Sequence, residues 1–196
     1  MWGTETVDST DLDMLDHATQ SFSLVLGSID TEDFGRPTAC GDWTIKEIAS
    51  HVCGGALRYA HYLRGGLPDE IAWTRAADHV GNDPRTVHDK LSAELRTLFA
   101  QPGAGSVGAH HPMQTVSGAV LLRMRVAELA VHAWDMESTL DAASTLDDDL
   151  AAYLLDRAIS ILRAQREHGY FADVEPANPD APAPARLLAL TGRSMP

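Results

Sequence analysis

The chain has 196 residues, 44% of them hydrophobic, which suffices for one domain to bury a core without a disulfide or a structural metal. Its 28 Asp and Glu against 15 Lys and Arg leave a formal charge of −13, which argues against partners held by cationic side chains, nucleic acids and anionic membrane surfaces alike. Apolar stretches such as Ala119–Leu122 and Leu129–Trp134 are far too short to span a bilayer.

In chain order, helix signals follow one another and strand signals hardly appear. Met1–Thr10 has neither a basic start nor an apolar run, so no secretory leader is expected. Leu12, Leu15, Phe22, Val25, Leu26 and Ile29 give a mostly helical spacing over residues 11–29. A Gly- and Pro-bearing loop follows from Thr31 to Trp43. Thr44 and Glu47 then read as a capping box opening a second helix, which runs to about Arg64 before Gly65-Gly66 stops it. Asp83 as N-cap with Pro84 at the first helical position opens a third, to about Phe99. Residues 101–118 read as loop. The helix at about 119–138 is apolar around most of its circumference, as a buried central helix is. Thr145–Asp149 opens a fifth helix reaching about His168, favoured by negative charge at its N-terminus. Glu175–Pro184 reads as extended and Ala185–Leu190 as a short helix. The expected architecture is all-α: a bundle of four main helices with short extra helices and long connecting loops, one domain over residues 1–196.

Polar residues on the buried helix need a reason. Glu128 and His132 are four apart, hence on one face, among Val126, Ala127, Leu129, Ala130, Val131 and Ala133. An ionised Glu in that setting costs several kcal/mol unless it is paired or bound to a cation. A divalent metal answers that cost; a helix-surface Glu–His pair or a hydrogen bond across the bundle answers it too. His51, on the edge of the second helix's apolar stripe, reads alone as a satisfied core histidine. With Glu128 and His132 on a facing helix it would complete a His₂Glu set with an open position, the pattern of catalytic zinc. Gly54-Gly55 after it suggests close approach of a neighbouring helix or a bound group. Asp135 is placed either to orient His132 or as a solvated helix-end carboxylate. Arg125 reads as pairing with Glu128, as exposed, or as holding an anionic substrate. His110-His111 reads as solvated loop or as pocket mouth. Cys40 and Cys53 make neither a disulfide framework nor a paired metal knuckle, and Cys53 points to a different face from His51.

Three segments, PTACGDWTIKEIASHVCGG (37–55), RVAELAVHAWDMES (125–138) and PAPARLLALTGR (182–193), resemble the DinB-like superfamily. More closely, they are similar to small metal-binding proteins related to the N-terminal domain of mycothiol-dependent maleylpyruvate isomerase. A D-W-T loop, a helix with H-V, a helix with E-x-x-x-H-x-W-D and a leucine-rich G-R end stand here in that order, with Ile48 where the pattern usually has Leu. The resemblance implies a DinB-like four-helix bundle in which His51, Glu128 and His132 bind a divalent ion, usually zinc, with nickel and iron also suited. Asp135 and Arg125 are then the candidate supporting residues.

It further implies a metal-activated low-molecular-weight thiol, typically mycothiol, attacking a small electrophilic substrate in a transferase or isomerase reaction. The substrate would enter between loops 31–43 and 101–118. The resembled isomerase carries a further C-terminal domain and this chain stops at Pro196, so a substrate other than maleylpyruvate is expected. Two other readings stand beside this one: a metal-hydroxide hydrolase or lyase without a thiol cofactor, and a non-catalytic metal-binding bundle. A cytoplasmic location, no nucleic-acid or membrane partner, and a homodimer complete the expectations.

Overall fold

The computed structural model describes residues 6–194, so residues 1–5, on which the leader reading partly rests, and residues 195–196 lie outside the described residues. Four long helices form the body: α1 (Ser9–Gly27), α2 (Ile45–Leu63), α3 (Pro84–Phe99) and α4 (Gly118–Leu140). Helix α1 packs on α3 and α4, and α2 packs on the same two, which closes a four-helix bundle. Among the described residues no helix is long and apolar enough to cross a membrane.

Local chemistry sets the helix starts. The Asp8 carboxylate accepts from the Asp11 backbone N–H at 2.9 Å, and Asp11 reciprocates at 3.2 Å. Thr44 and Glu47 form the expected capping box, Glu47 reaching the Thr44 N–H at 2.8 Å. Asp83 caps α3 with Pro84 behind it. Each box satisfies backbone donors that a helix start otherwise leaves unpaired.

Three shorter helices, α5 (Asp148–Arg157), α6 (Ile159–Glu167) and α7 (Ala183–Leu190), follow the bundle, α5 packing on α1 and α4. The expected single helix over residues 145–168 is bent instead. Ala158 opens to φ −112°, ψ −4°, while its N–H still reaches Leu154 and its carbonyl still accepts from Leu162. The bonding therefore continues through a kink that the apolar pattern does not register.

The segment read as loop, 101–118, holds a hairpin. Strands β1 (Gly108–His111) and β2 (Gln114–Ser117) pair antiparallel, Ala109 opposite Val116 and His111 opposite Gln114. Only Ala109 and Val116 of these eight residues are buried, so two apolar positions are too few to register as an alternating pattern. Gly118 then lets the chain pass the Ala104 carbonyl: a Cβ there would lie 1.9 Å from that oxygen.

Helix α4 is the axis of the core. From Gly118 to Glu137 every residue is buried except Glu128 and His132. The core also encloses His88 of α3, which packs at 4.9 Å on the Phe22 ring, with Ser92 Oγ 3.1 Å from Nε2 and Asp89 Oδ1 3.2 Å from Nδ1. Burial, aided by the Arg125 charge and opposed by Asp89, depresses its pKa from 6.5 to about 4. The unfolded chain therefore takes up this proton first as pH falls. The stabilisation is complete above about pH 6.5 and is lost progressively toward pH 4, about 3 kcal/mol in all. Urea unfolding at pH 7 and 4.5 should show that loss in the wild type and a much smaller one in His88→Gln; equal losses would place the acid sensitivity elsewhere.

Candidate metal centre

The two half-open positions of α4 face His51 of α2. Nε2 of His51 lies 3.2 Å from Oε1 of Glu128, and the rings of His51 and His132 lie 5.3 Å apart, edge to face. Two donors each about 2.1 Å from a tetrahedral zinc stand about 3.4 Å from one another, so the His51–Glu128 spacing suits a shared ion. The other Glu128 oxygen accepts from Arg125 Nη1 at 2.9 Å, and that nitrogen also donates to the Val52 carbonyl at 2.8 Å.

Gly54 and Gly55 explain how a charged group fits between the helices. A Cβ on Gly55 would stand 2.8 and 3.0 Å from the Glu128 oxygens and 3.2 Å from Arg125 Nη1. One on Gly54 would meet Arg58 Nη1 and the His79 ring at 2.9 Å. Arg58 crosses here to hold the His51 carbonyl at 3.3 Å and the Thr74 hydroxyl at 3.3 Å. The glycine pair thus leaves a cradle for a carboxylate and two guanidinium groups.

His132 is held from behind. Its Nδ1 lies 3.0 Å from Asp135 Oδ2, an arrangement that orients an imidazole and leaves Nε2 for a ligand. Asp135 is fully buried, so it is not the solvated helix-end carboxylate that was the other reading. Arg193 grips it with two bonds, Nε to Oδ1 at 3.0 Å and Nη2 to Oδ2 at 2.7 Å, and its Nη2 also lies 3.3 Å from Cys40 Sγ. Trp43 covers the same side, 4.6 Å from the His51 ring and 6.1 Å from that of His132.

The two histidines are poised differently. Burial holds His51 toward the neutral, lone-pair form, with Glu128 opposing. Burial also works against charge on His132, but Asp135 and Cys40 overrule it and raise its pKa to about 9. Glu128, despite its burial, is held below the usual carboxylate range by Arg125 and His51.

The sequence gives no role at this centre to Cys40, to Arg58, or to Arg193, which it marks only as the end of the family-like G-R segment. The Cys40 thiol, His132 and Asp135 offer ligand atoms all within 4.8 Å of one another. Both Asp135 oxygens accept from Arg193, however, and the same guanidinium reaches Cys40 Sγ. Cys53 is fully buried, its thiol pushed up to about 12 by desolvation. Of the adjacent loop histidines, His111 packs on Tyr59 and Tyr62, with ring centroids 6.4 and 6.2 Å away, and burial lowers its pKa to about 4. His110 reaches only Thr115 on the opposite strand.

The family model described as mycothiol maleylpyruvate isomerase N-terminal domain matches residues 15–137. Two uncharacterized proteins of Mycobacterium tuberculosis, from two strains, are each 27% identical over 185 residues, which is 91% of this chain and 94% of theirs. The crystal structure of the mycothiol-dependent maleylpyruvate isomerase superposes with a TM-score of 0.60 at 20% identity, over 84% of this chain and 73% of that one. A histidine-to-alanine mutant of the isomerase gives 0.56 at 19% identity over the same shares. These superpositions show a shared fold. The matched segment holds His51, Glu128, His132 and Asp135 and ends before Arg193, and on its extent this chain belongs to the mycothiol maleylpyruvate isomerase N-terminal domain family.

Proposed function

We propose that this protein is a divalent-metal enzyme of the thiol-dependent isomerase or transferase type, with His51, Glu128 and His132 holding the ion. The observation that carries the reading is the Glu128 carboxylate in its glycine cradle, one oxygen on Arg125 and the other 3.2 Å from His51 Nε2. When bound, zinc or a similar ion supplies a Lewis acid at which a low-molecular-weight thiol such as mycothiol loses its proton near neutral pH.

The chain's own residues do the rest. Asp135 keeps the Nδ1 proton of His132 engaged and thereby directs Nε2 to the ion. Arg125 occupies Glu128 Oε2, so the carboxylate offers Oε1 alone and stays ionised. Trp43 shields the two imidazoles from solvent on the side of the 31–43 loop. Three protein ligands leave a position for an exogenous thiol and, beside it, for a small electrophilic substrate.

Elemental analysis of wild type and His132→Ala, followed by mycothiol titration into the cobalt-substituted wild type, tests this. The expected result is about one divalent ion per chain, lost in the variant, and a visible-spectrum change on adding thiol. Metal with no thiol response would favour hydroxide-based hydrolysis or elimination. No metal in either protein would overturn the assignment.

A further inference from the structure

We propose that Arg193 is a positioning residue of this centre, acting through Asp135 on His132, so that the segment after α7 is part of the site. Its bearing on the ion rests on the metal reading above; its bearing on the imidazole rests on geometry alone.

The contact is built, not incidental. Arg193 is 9% exposed and Asp135 fully buried, so their pairing takes place away from water. The guanidinium meets the carboxylate with two roughly parallel bonds, 3.0 and 2.7 Å, which fix the carboxylate plane as a single point charge cannot. The same Oδ2 that accepts from Arg193 lies 3.0 Å from His132 Nδ1, so fixing that plane fixes the ring. The remaining reach of Nη2, to Cys40 Sγ at 3.3 Å, ties the 31–43 loop to the same group.

The chain is shaped to deliver this side chain. Leu187 and Leu188 of α7 are buried. The helix then ends in a left-handed Gly192 at φ +79°, with the Arg193 N–H on the Leu188 carbonyl at 2.8 Å. A Cβ on Gly192 would lie 2.6 Å from the Ala172 backbone nitrogen, so that turn excludes any larger residue. The turn aims residue 193 back at α4, 58 positions away in sequence.

The test uses the full chain in four variants: Arg193→Lys, Arg193→Met, Asp135→Asn, and Asp135→Asn with Arg193→Met. Arg193→Met strands a buried carboxylate and can unfold the chain; the Lys variant keeps the charge, and the double variant removes both charges. Two quantities are read: zinc affinity by competition with a chromophoric chelator, and the slowly exchanging His132 Nδ1–H in the NMR spectrum of metal-free protein. Arg193→Lys should weaken zinc about tenfold and speed exchange of that proton, and Arg193→Met should have no further effect on zinc once Asp135 is Asn. Folded Arg193 variants with wild-type zinc affinity and an unchanged Nδ1–H would overturn the proposal. So would losses that simply add in the double variant. If the wild type takes no zinc yet Arg193→Lys frees the Nδ1 proton, the metal reading falls and the positioning role stands.

Discussion

Asp11→Ala should cost about 3–5 kcal/mol, a large part of the about 5–15 kcal/mol that holds a domain of this kind together. Asp11 sits in the first turn of α1, fully buried, where its carboxylate collects three groups from two other helices. Arg123 of α4 donates to it at 3.2 and 3.3 Å, the Tyr153 hydroxyl of α5 at 2.8 Å, and Arg157 approaches at 3.5 Å. Alanine leaves the buried guanidinium without this carboxylate and the phenol without its acceptor, which is the costly way to break a buried pair. The same residue also closes the α1 capping box, adding about 1 kcal/mol. Denaturant unfolding measures the difference; a loss under about 1 kcal/mol would mean that the network behaves like an exposed one.

Gly55→Ala sets two effects against each other. Alanine in a helix interior gains about 1 kcal/mol over glycine. The new Cβ, however, would stand 2.8 Å from Glu128 Oε1, and the carboxylate cannot swing away cheaply because Arg125 and His51 hold both its oxygens. Two hydrogen bonds to a charged group, each contributing about 1.5–3 kcal/mol, outweigh the helical gain. The expected outcome is a folded protein with a melting temperature a few degrees lower and at least tenfold weaker zinc binding. Wild-type zinc affinity in a stabilised Gly55→Ala protein would show that the carboxylate has room elsewhere.

Both substitutions bear on what could be read in advance. Helices α2 and α3 were legible almost to the residue because Thr44, Glu47, Asp83 and Pro84 are local signals with local causes. The centrality of α4 was legible because its apolar residues run all the way round, and the two exceptions, Glu128 and His132, stood out for that reason. His51 drew its meaning from the family resemblance, since nothing in its own helix distinguishes it from a core histidine. The hairpin at 108–117 and the kink at Ala158 escaped because each depends on docking rather than on pattern. Arg193, Cys40 and Asp135 come from three distant parts of the chain. No spacing rule joins them; only the return of α7 to the bundle does.

The burial of α4 has a kinetic corollary. A helix enclosed on nearly every side has no local route to opening, so Glu128 and His132 keep their places for as long as the fold itself persists. The loop Thr31–Trp43 is mostly surface chain, held to the start of α2 by the Phe34 and Arg36 carbonyls, to Thr139 by Arg36 and Pro37, and to Arg193 by Cys40. Surface chain of that kind costs less to open locally than a core helix does. Of the two sides of the centre, the tryptophan side is therefore the cheaper to open, and α4 is the fixed one.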